Sequence, residues 1–348
     1  MAGHREKINI SEFLKMAAGL PVVDVRSPGE YSYGHIPGAV NIPLFDDKER
    51  EIVGTLYRNE GRTKAILKGL DLASAEMSAK LEKALSVARE NQLLVHCWRG
   101  GMRSEAMAWL FSLGDIRTEV LDGGYKAYRH LVLEELGIKR NFFILGGLTG
   151  SGKTELLKYI QEKGKQVIDL EGIACHKGSA FGSIGQPPQP TSEHFANLLH
   201  KEISAIPENQ VIWLEDESKN IGTVFMPDTF FGNMRESPVI ALIMDVKTRM
   251  PRLLKEYSTH SAEELINSVQ KISRRLGGDK TREAIESIET GDFIKAIEIT
   301  LDYYDKTYLY GLKQRPPERI IYVETDTDDV EVNADKIMKA EAKFNGKK

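Results

Sequence analysis

The chain has 348 residues, 41% hydrophobic and 28% charged, with 47 Lys and Arg against 51 Asp and Glu for a formal net charge of −4. That length predicts about two domains, each able to bury its own core, and the charge balance excludes a protein that is basic all over, so any nucleic-acid surface must be a local patch. Two cysteines exclude a disulfide framework, and no apolar run nears the roughly 18 residues of a membrane span. With no secretory pattern at its start, a cytoplasmic protein that engages no membrane is the expectation.

In chain order, "PVVDVR" (21–26) and "QLLVHC" (92–97) are short β-branched runs that end in polar residues, as parallel strands do. The charged stretch 46–90 between them predicts helices. "SEAMAWLFSLG" (104–114) has helical spacing and a glycine stop, and "TEVLDGGYKAY" (118–128) predicts a strand, a glycine turn and a helix start. The pattern restarts after "EELGIKR", which places a boundary between a domain at 1–136 and one at 137–348. There "NFFILGGLTGSGKTELLKYI" predicts strand, glycine loop and helix. "QVIDLEG", "NQVIWLEDES", "PVIALIMDV" and "ERIIYVET" follow as further strands. The stretch 247–312 lacks a strand signal and predicts a helical insertion, while the Gly/Pro-rich "GSIGQPPQPTSE" (182–193) predicts a mobile loop. Strands alternating with helices argue for the α/β class, with parallel sheets covered on both faces.

Two loops carry chemistry. In "HCWRGGMRS" Cys97 leaves a strand and enters a helix through Arg99, Gly100, Gly101 and Arg103. A thiol with a pKa of about 8.5 is mostly protonated at neutral pH. Inward amides, a helix N-terminus and two guanidinium groups would favour its thiolate and cradle an anion. The plain alternative is a buried structural cysteine, for which glycines and arginines are poor surroundings. His96 fits a structural role better than that of a base. In the second loop, Gly147, Gly150, Ser151, Gly152, Lys153 and Thr154 fit G-x-x-x-x-G-K-[ST] between strand and helix. Such a loop holds a di- or triphosphate on backbone N–H groups and Lys153, with Thr154 available to Mg²⁺. ATP and a prenyl diphosphate satisfy it equally. Asp169, Glu215 and Glu217 are strand-end carboxylates suited to a metal-bound water or to acid–base work. The bland alternative for them is solvated charge, and no residue set establishes a metal site.

Upstream, Asp24, Arg26, Glu30, Tyr31, Gly34, His35, Ile36, Pro37, Gly38, Ala39, Asn41 and Pro43 resemble the rhodanese signature. The Cys-x5-Arg loop is one residue longer than the common rhodanese form and is similar to that of rhodanese-fold phosphatases. With "GGLTGSGKTELL", "DLEGIACHKGSAFG" and "WLEDES" added, almost the whole chain resembles the bacterial tRNA 2-selenouridine synthase family. The resemblance implies a rhodanese-like domain fused to a P-loop domain. It also implies S-geranylation of the wobble 2-thiouridine of tRNA from geranyl diphosphate, then replacement of geranylthio by selenium from selenophosphate. On that reading Cys97 is the residue of selenation, Arg99, Gly100, Gly101 and Arg103 hold the selenium anion, and the P-loop holds the prenyl diphosphate. A basic excess over 247–282, with Arg249, Arg252, Arg274 and Arg275, is a candidate tRNA surface, and Arg249 and Arg252 are alternatively lid arginines for the diphosphate. His176 is placed beside the same pocket. The rivals are a Cys-x5-Arg phosphatase fused to an ATP-dependent kinase, and a nucleotide-switched binding module with an inert rhodanese fold.

Overall fold

A computed structural model describes residues 7–345. The chain forms two compact units, one of residues up to 135 together with 196–201, the other of 136–195 and the residues from 202 onward. No sequence feature marks 196–201 as a piece of the first unit.

The first unit holds a five-stranded parallel sheet in the order β1-β5-β4-β2-β3, with β1 Lys7–Ile8, β2 Val22–Asp24, β3 Val40–Asn41, β4 Gln92–His96 and β5 Arg117–Leu121. Four of the five β4 residues are buried, which is why it reads as a continuous apolar run and not as an alternating one. Helices α1 Ile10–Ala17 and α2 Pro28–Tyr33 flank β2 in sequence. The 46–90 stretch is helical as expected: α3 Asp47–Asn59, α4 Arg62–Ser74 and α5 Met77–Val87. The first of these is started by a capping box between Asp46 and Glu49. Then come α6 Met102–Ser112 and α7 Gly124–Gly137. Val23, Leu93, Val95, Met107 and Phe111 are at the heart of the core.

The second unit is another five-stranded parallel sheet, ordered β12-β11-β6-β8-β7: β6 Asn141–Gly147, β7 Gln166–Val167, β8 Val211–Glu215, β11 Val239–Met244 and β12 Ile320–Thr325. From β6 the chain builds β8 and β7 on one side and β11 and β12 on the other. The carboxyl end of β6 is therefore the switch point where such sheets bind ligands. An antiparallel ribbon, β9 Asn220–Ile221 with β10 Val224–Phe225, was not expected, because two-residue strands carry no readable alternation. The helices are α8 Lys153–Glu162, α9 Leu170–Ala174, α10 Ser192–Ser204, α11 Asp228–Arg235 and α16 Val330–Asn345. The insertion supplies α12 Val246–Tyr257, α13 Ala262–Leu276, α14 Gly278–Glu289 and α15 Phe293–Leu312. That insertion has its own core around Leu265, Val269, Ile288 and Leu301. The 182–193 stretch is irregular but tethered, contrary to expectation. The Gln189 amide donates to Ala174 O (3.0 Å) and Ile221 O (2.9 Å), and its oxygen accepts Thr223 N–H (2.9 Å). Among the described residues no helix is long and apolar enough to cross a membrane.

Candidate active sites

Between the end of β4 and the start of α6, Cys97 to Gly101 cross the carboxyl edge of the first sheet. The loop's carbonyls are taken by the first turn of α7: Tyr125 N–H donates to Cys97 O (2.8 Å) and Lys126 N–H to Trp98 O (3.0 Å). This close approach requires glycine. Gly100 and Gly124 have φ of +64° and +59°, and a Cβ on either would collide with backbone, Leu121 O for the first and Cys97 O for the second. With carbonyls turned outward, the Arg99 and Ser104 N–H groups face the sulfur. Cys97 Sγ also lies 3.3 Å from Ser104 Oγ. Burial pushes the thiol up, but the Ser104 hydroxyl, the Arg99 N–H, the Arg103 charge and the Ser104 N–H together outweigh it and hold the thiol below its ordinary range.

Arg103 donates to Glu30 (2.7 Å), which Arg50 also approaches at 3.4 Å. Arg99 is exposed and has no carboxylate partner among the described residues. Below the loop, Arg26 is bound to Asp24 (2.6 Å) and Gly34 O (2.7 Å) and lies 3.7 Å from the centroid of the Tyr125 ring. Asn41 ties the carbonyls of Asp24 and Arg26 together. The rhodanese-type residues thus hold the cradle's foundation. His96, wholly buried 3.7 Å from Asp24, is kept neutral chiefly by that burial. Sequence reasoning missed Ser104; it placed the Gly123–Gly124 turn in "LDGGYK" but not the packing of that turn against the cysteine loop.

The second site follows β6. Gly150 and Gly152 turn at φ of +80° and +76°, and Lys153 opens α8 with its Nζ folded back to Gly147 O at 3.2 Å. Ser151 Oγ is buried without a hydrogen-bond partner among the described residues. The Thr154 hydroxyl donates to Glu171 (3.3 Å). Arg252, paired with Glu155, lies over the loop: a Cβ on Gly152 would come 3.0 Å from its guanidinium carbon.

Residues 140–340 match the family model described as the tRNA 2-selenouridine synthase AAA domain, and 9–131 that of the rhodanese-like domain. The protein called tRNA 2-selenouridine synthase from Nitrosomonas europaea is 31% identical, over 86% of this chain and 90% of its own. Its namesake from Bdellovibrio bacteriovorus is 34% identical over 85% and 90%, and that from Shewanella piezotolerans 33% over 90% and 95%. The chain belongs to the tRNA 2-selenouridine synthase family. It is therefore a member of an enzyme family, and its α/β fold, rhodanese-like before P-loop, is the one expected.

In this synthase-family chain the carboxylates beside the P-loop are not equivalent. Glu215 is fully buried and accepts Leu170 N–H (3.0 Å); burial first, then the charges of Asp169 and Glu171, push it up to about 8. Asp169 is spent as the N-cap of α9, accepting Gly172 N–H at 2.6 Å. Burial raises Glu171 even against the Lys153 charge, and Glu217 is raised by burial and by Glu171 beside it. In sequence Glu171 shares the strand-end setting of Asp169, with a weaker claim than Glu215 and Glu217. Among the described residues no group of three or more His, Cys, Asp or Glu side chains could hold a metal by itself.

The basic candidates separate in the same way. Arg249 is not a surface residue: only 1% exposed, it donates to Thr149 O (2.8 Å) and Met244 O (3.0 Å) and clasps Asp305 (2.6 and 3.0 Å). Its donors are taken by protein, so it braces the P-loop from behind and offers little to tRNA or diphosphate. His176 is likewise packed inward between Gly182 and Gly222, and burial lowers its pKa. Arg274 and Arg275 do face solvent, in the last turn of α13, without an ion-pair partner among the described residues.

Proposed function

We propose that the chain converts the wobble 2-thiouridine of tRNA to 2-selenouridine in two substitutions, using geranyl diphosphate and then selenophosphate. In the first, the thiocarbonyl sulfur attacks C1 of the geranyl group. A C–S bond forms, the C1–O bond breaks with its electron pair leaving on diphosphate, and the N3 proton is lost. Lys153 and the N–H groups of Gly150, Gly152, Lys153 and Thr154 would take up the charge on the leaving diphosphate, a gain realised most fully in the transition state, while Ser151 N–H is held by Leu148 O (3.1 Å). Arg252, over Gly152, adds a second cation when it leaves Glu155. The N3 proton passes to solvent; Glu217 lies beside Glu171, and Asp169 and Glu215 hold the backbone around them. Thr154 and Glu171 offer the hard oxygen donors that would hold Mg²⁺ together with substrate phosphate oxygens. A bound Mg²⁺ would polarise those oxygens.

In the second substitution selenium displaces geranylthiolate at C2: a C–Se bond forms, the C–S bond breaks, and water takes the phosphoryl group. Cys97 is the residue on which this step depends. Arg99, Arg103 and the amides of Gly100 and Gly101 receive the anionic donor, while Arg274 and Arg275 are the cations left free for tRNA phosphates. The carrying observation is that one chain of this family contains both a thiol held low by surrounding donors and a separate P-loop. The fused phosphatase–kinase fits less well. Asp24 and Glu30, although burial pushes both up, are held ionised by Arg26 and by Arg103 respectively, and so are poor acids for protonating a leaving oxygen.

Mass spectrometry of digested tRNA tests this, after incubation with geranyl diphosphate and then selenophosphate. Lys153→Ala should form neither product. Cys97→Ala should accumulate geranylated tRNA and make no selenouridine. A folded Cys97→Ala protein that loses geranylation too, or an unaltered protein that consumes ATP and ignores geranyl diphosphate, would overturn the reading.

A further inference from the structure

We propose that the 178–184 loop and α12 form the seat of the substrate's hydrocarbon chain, and that Phe181 sets the chain length accepted. The inference rests on reading the P-loop as a prenyl diphosphate site. Such a substrate is an amphiphile, and its receptor has to change from charged to apolar over a short distance. A nucleotide would instead need polar partners for a base and a sugar.

The 178–184 loop makes that change within three residues. At Gly178 (φ +72°) a Cβ would lie 2.8 Å from Glu217 and 3.0 Å from Glu171, so the loop begins beside the carboxylates that face Lys153. At Ala180 the backbone N–H donates to the Tyr304 hydroxyl (3.1 Å), which fixes the loop on α15. At Phe181 the ring packs 5.1 Å from the ring of Tyr257, and Ile184 follows on the same apolar cluster. The P-loop meets that cluster from its other end, since a Cβ on Gly150 would come 2.7 Å from Leu253. Helix α12 shows the same order, with Arg252 over the phosphate loop and Leu253 and Tyr257 in the apolar cluster. Phe181 and Ile184 remain only half-buried, so each keeps apolar surface that a hydrocarbon chain could cover. Outside, Lys177 closes onto Glu256 (2.8 Å) and anchors the start of the loop.

The test is a competition among dimethylallyl, geranyl and farnesyl diphosphates with the full-length protein and thiolated tRNA, the three products being weighed in one digest. Phe181→Ala should raise the farnesyl-to-geranyl product ratio about tenfold, the scale on which apolar pockets discriminate added carbon. Ile184→Phe, which fills space at a half-buried position, should shift the ratio toward dimethylallyl. Affinity for inorganic pyrophosphate should stay within about twofold in both, because the P-loop is untouched. A ratio unchanged in both folded variants, with all three substrates slowed alike, overturns the seat. An unaltered protein that alkylates with none of the three diphosphates refutes the prenyl reading itself, a different and distinguishable failure.

Discussion

Removing Asp305 should damage the P-loop unit more than removing Asp305 and Arg249 together. The Arg249 guanidinium is 1% exposed, and its charge is balanced by Asp305 through two contacts, at 2.6 and 3.0 Å. Asp305→Ala leaves that cation buried and unpaired, which costs about 3–5 kcal/mol. The lower end applies here, because the Asp305 carboxylate is itself 19% exposed and Arg249 keeps the carbonyls of Met244 and Thr149. For a unit of this size about 3 kcal/mol corresponds to a fall of roughly 6–12 °C in its melting temperature. Arg249→Met removes the cation with a side chain of similar reach, leaving Asp305 to reorient toward water. The cost is then that of unpaired carbonyls, about 1–3 kcal/mol. The double variant should therefore melt above Asp305→Ala alone. The two variants that lack Arg249 should bind inorganic pyrophosphate more weakly than the unaltered protein, since the Thr149 carbonyl no longer has its brace and the loop's N–H groups lose their aim, whereas Asp305→Ala keeps that brace. Scanning calorimetry and pyrophosphate titration provide both readouts. A double variant that melts at or below Asp305→Ala alone refutes the buried-charge argument.

Two further outcomes follow from the same geometry. Glu215, raised by burial from its usual 4.5 to about 8, binds a proton in the native state that the unfolded chain releases, so its contribution is complete below about pH 4.5 and is lost as pH rises toward 8. Glu215→Gln should flatten that decline, and its stability advantage in urea unfolding should widen by a few kcal/mol between pH 5 and 8; an advantage constant with pH rules this out. Gly124→Ala should displace the cysteine loop, because its Cβ would enter Cys97 O and Gly100 N, whereas Gly101→Ala meets nothing within 4 Å. Loss of thiolate absorbance at 240 nm in the first variant and its retention in the second is the expected contrast.

Composition, periodicity and local motifs were enough to specify the α/β class, the strand–loop–helix setting of Cys97 and of Lys153, and the helical character of 247–312. Each of these is governed by residues close together in the chain: an apolar run, a glycine where φ must be positive, a cap. The roles of Arg249 and His176 were not legible, because the same basic side chain serves a surface or a brace depending on whether Asp305 or a pair of glycine backbones lies opposite. Those partners come from distant segments. The part played by Ser104 and the charge state of Glu171 were hidden for the same reason: a hydroxyl becomes a thiolate donor, and a carboxylate gains proton affinity, only when folding sets them against Cys97 Sγ or near Lys153 in a place that water has left. Short-range order is encoded locally, whereas charge state and accessibility are properties of the surroundings, and only the tertiary structure decides those.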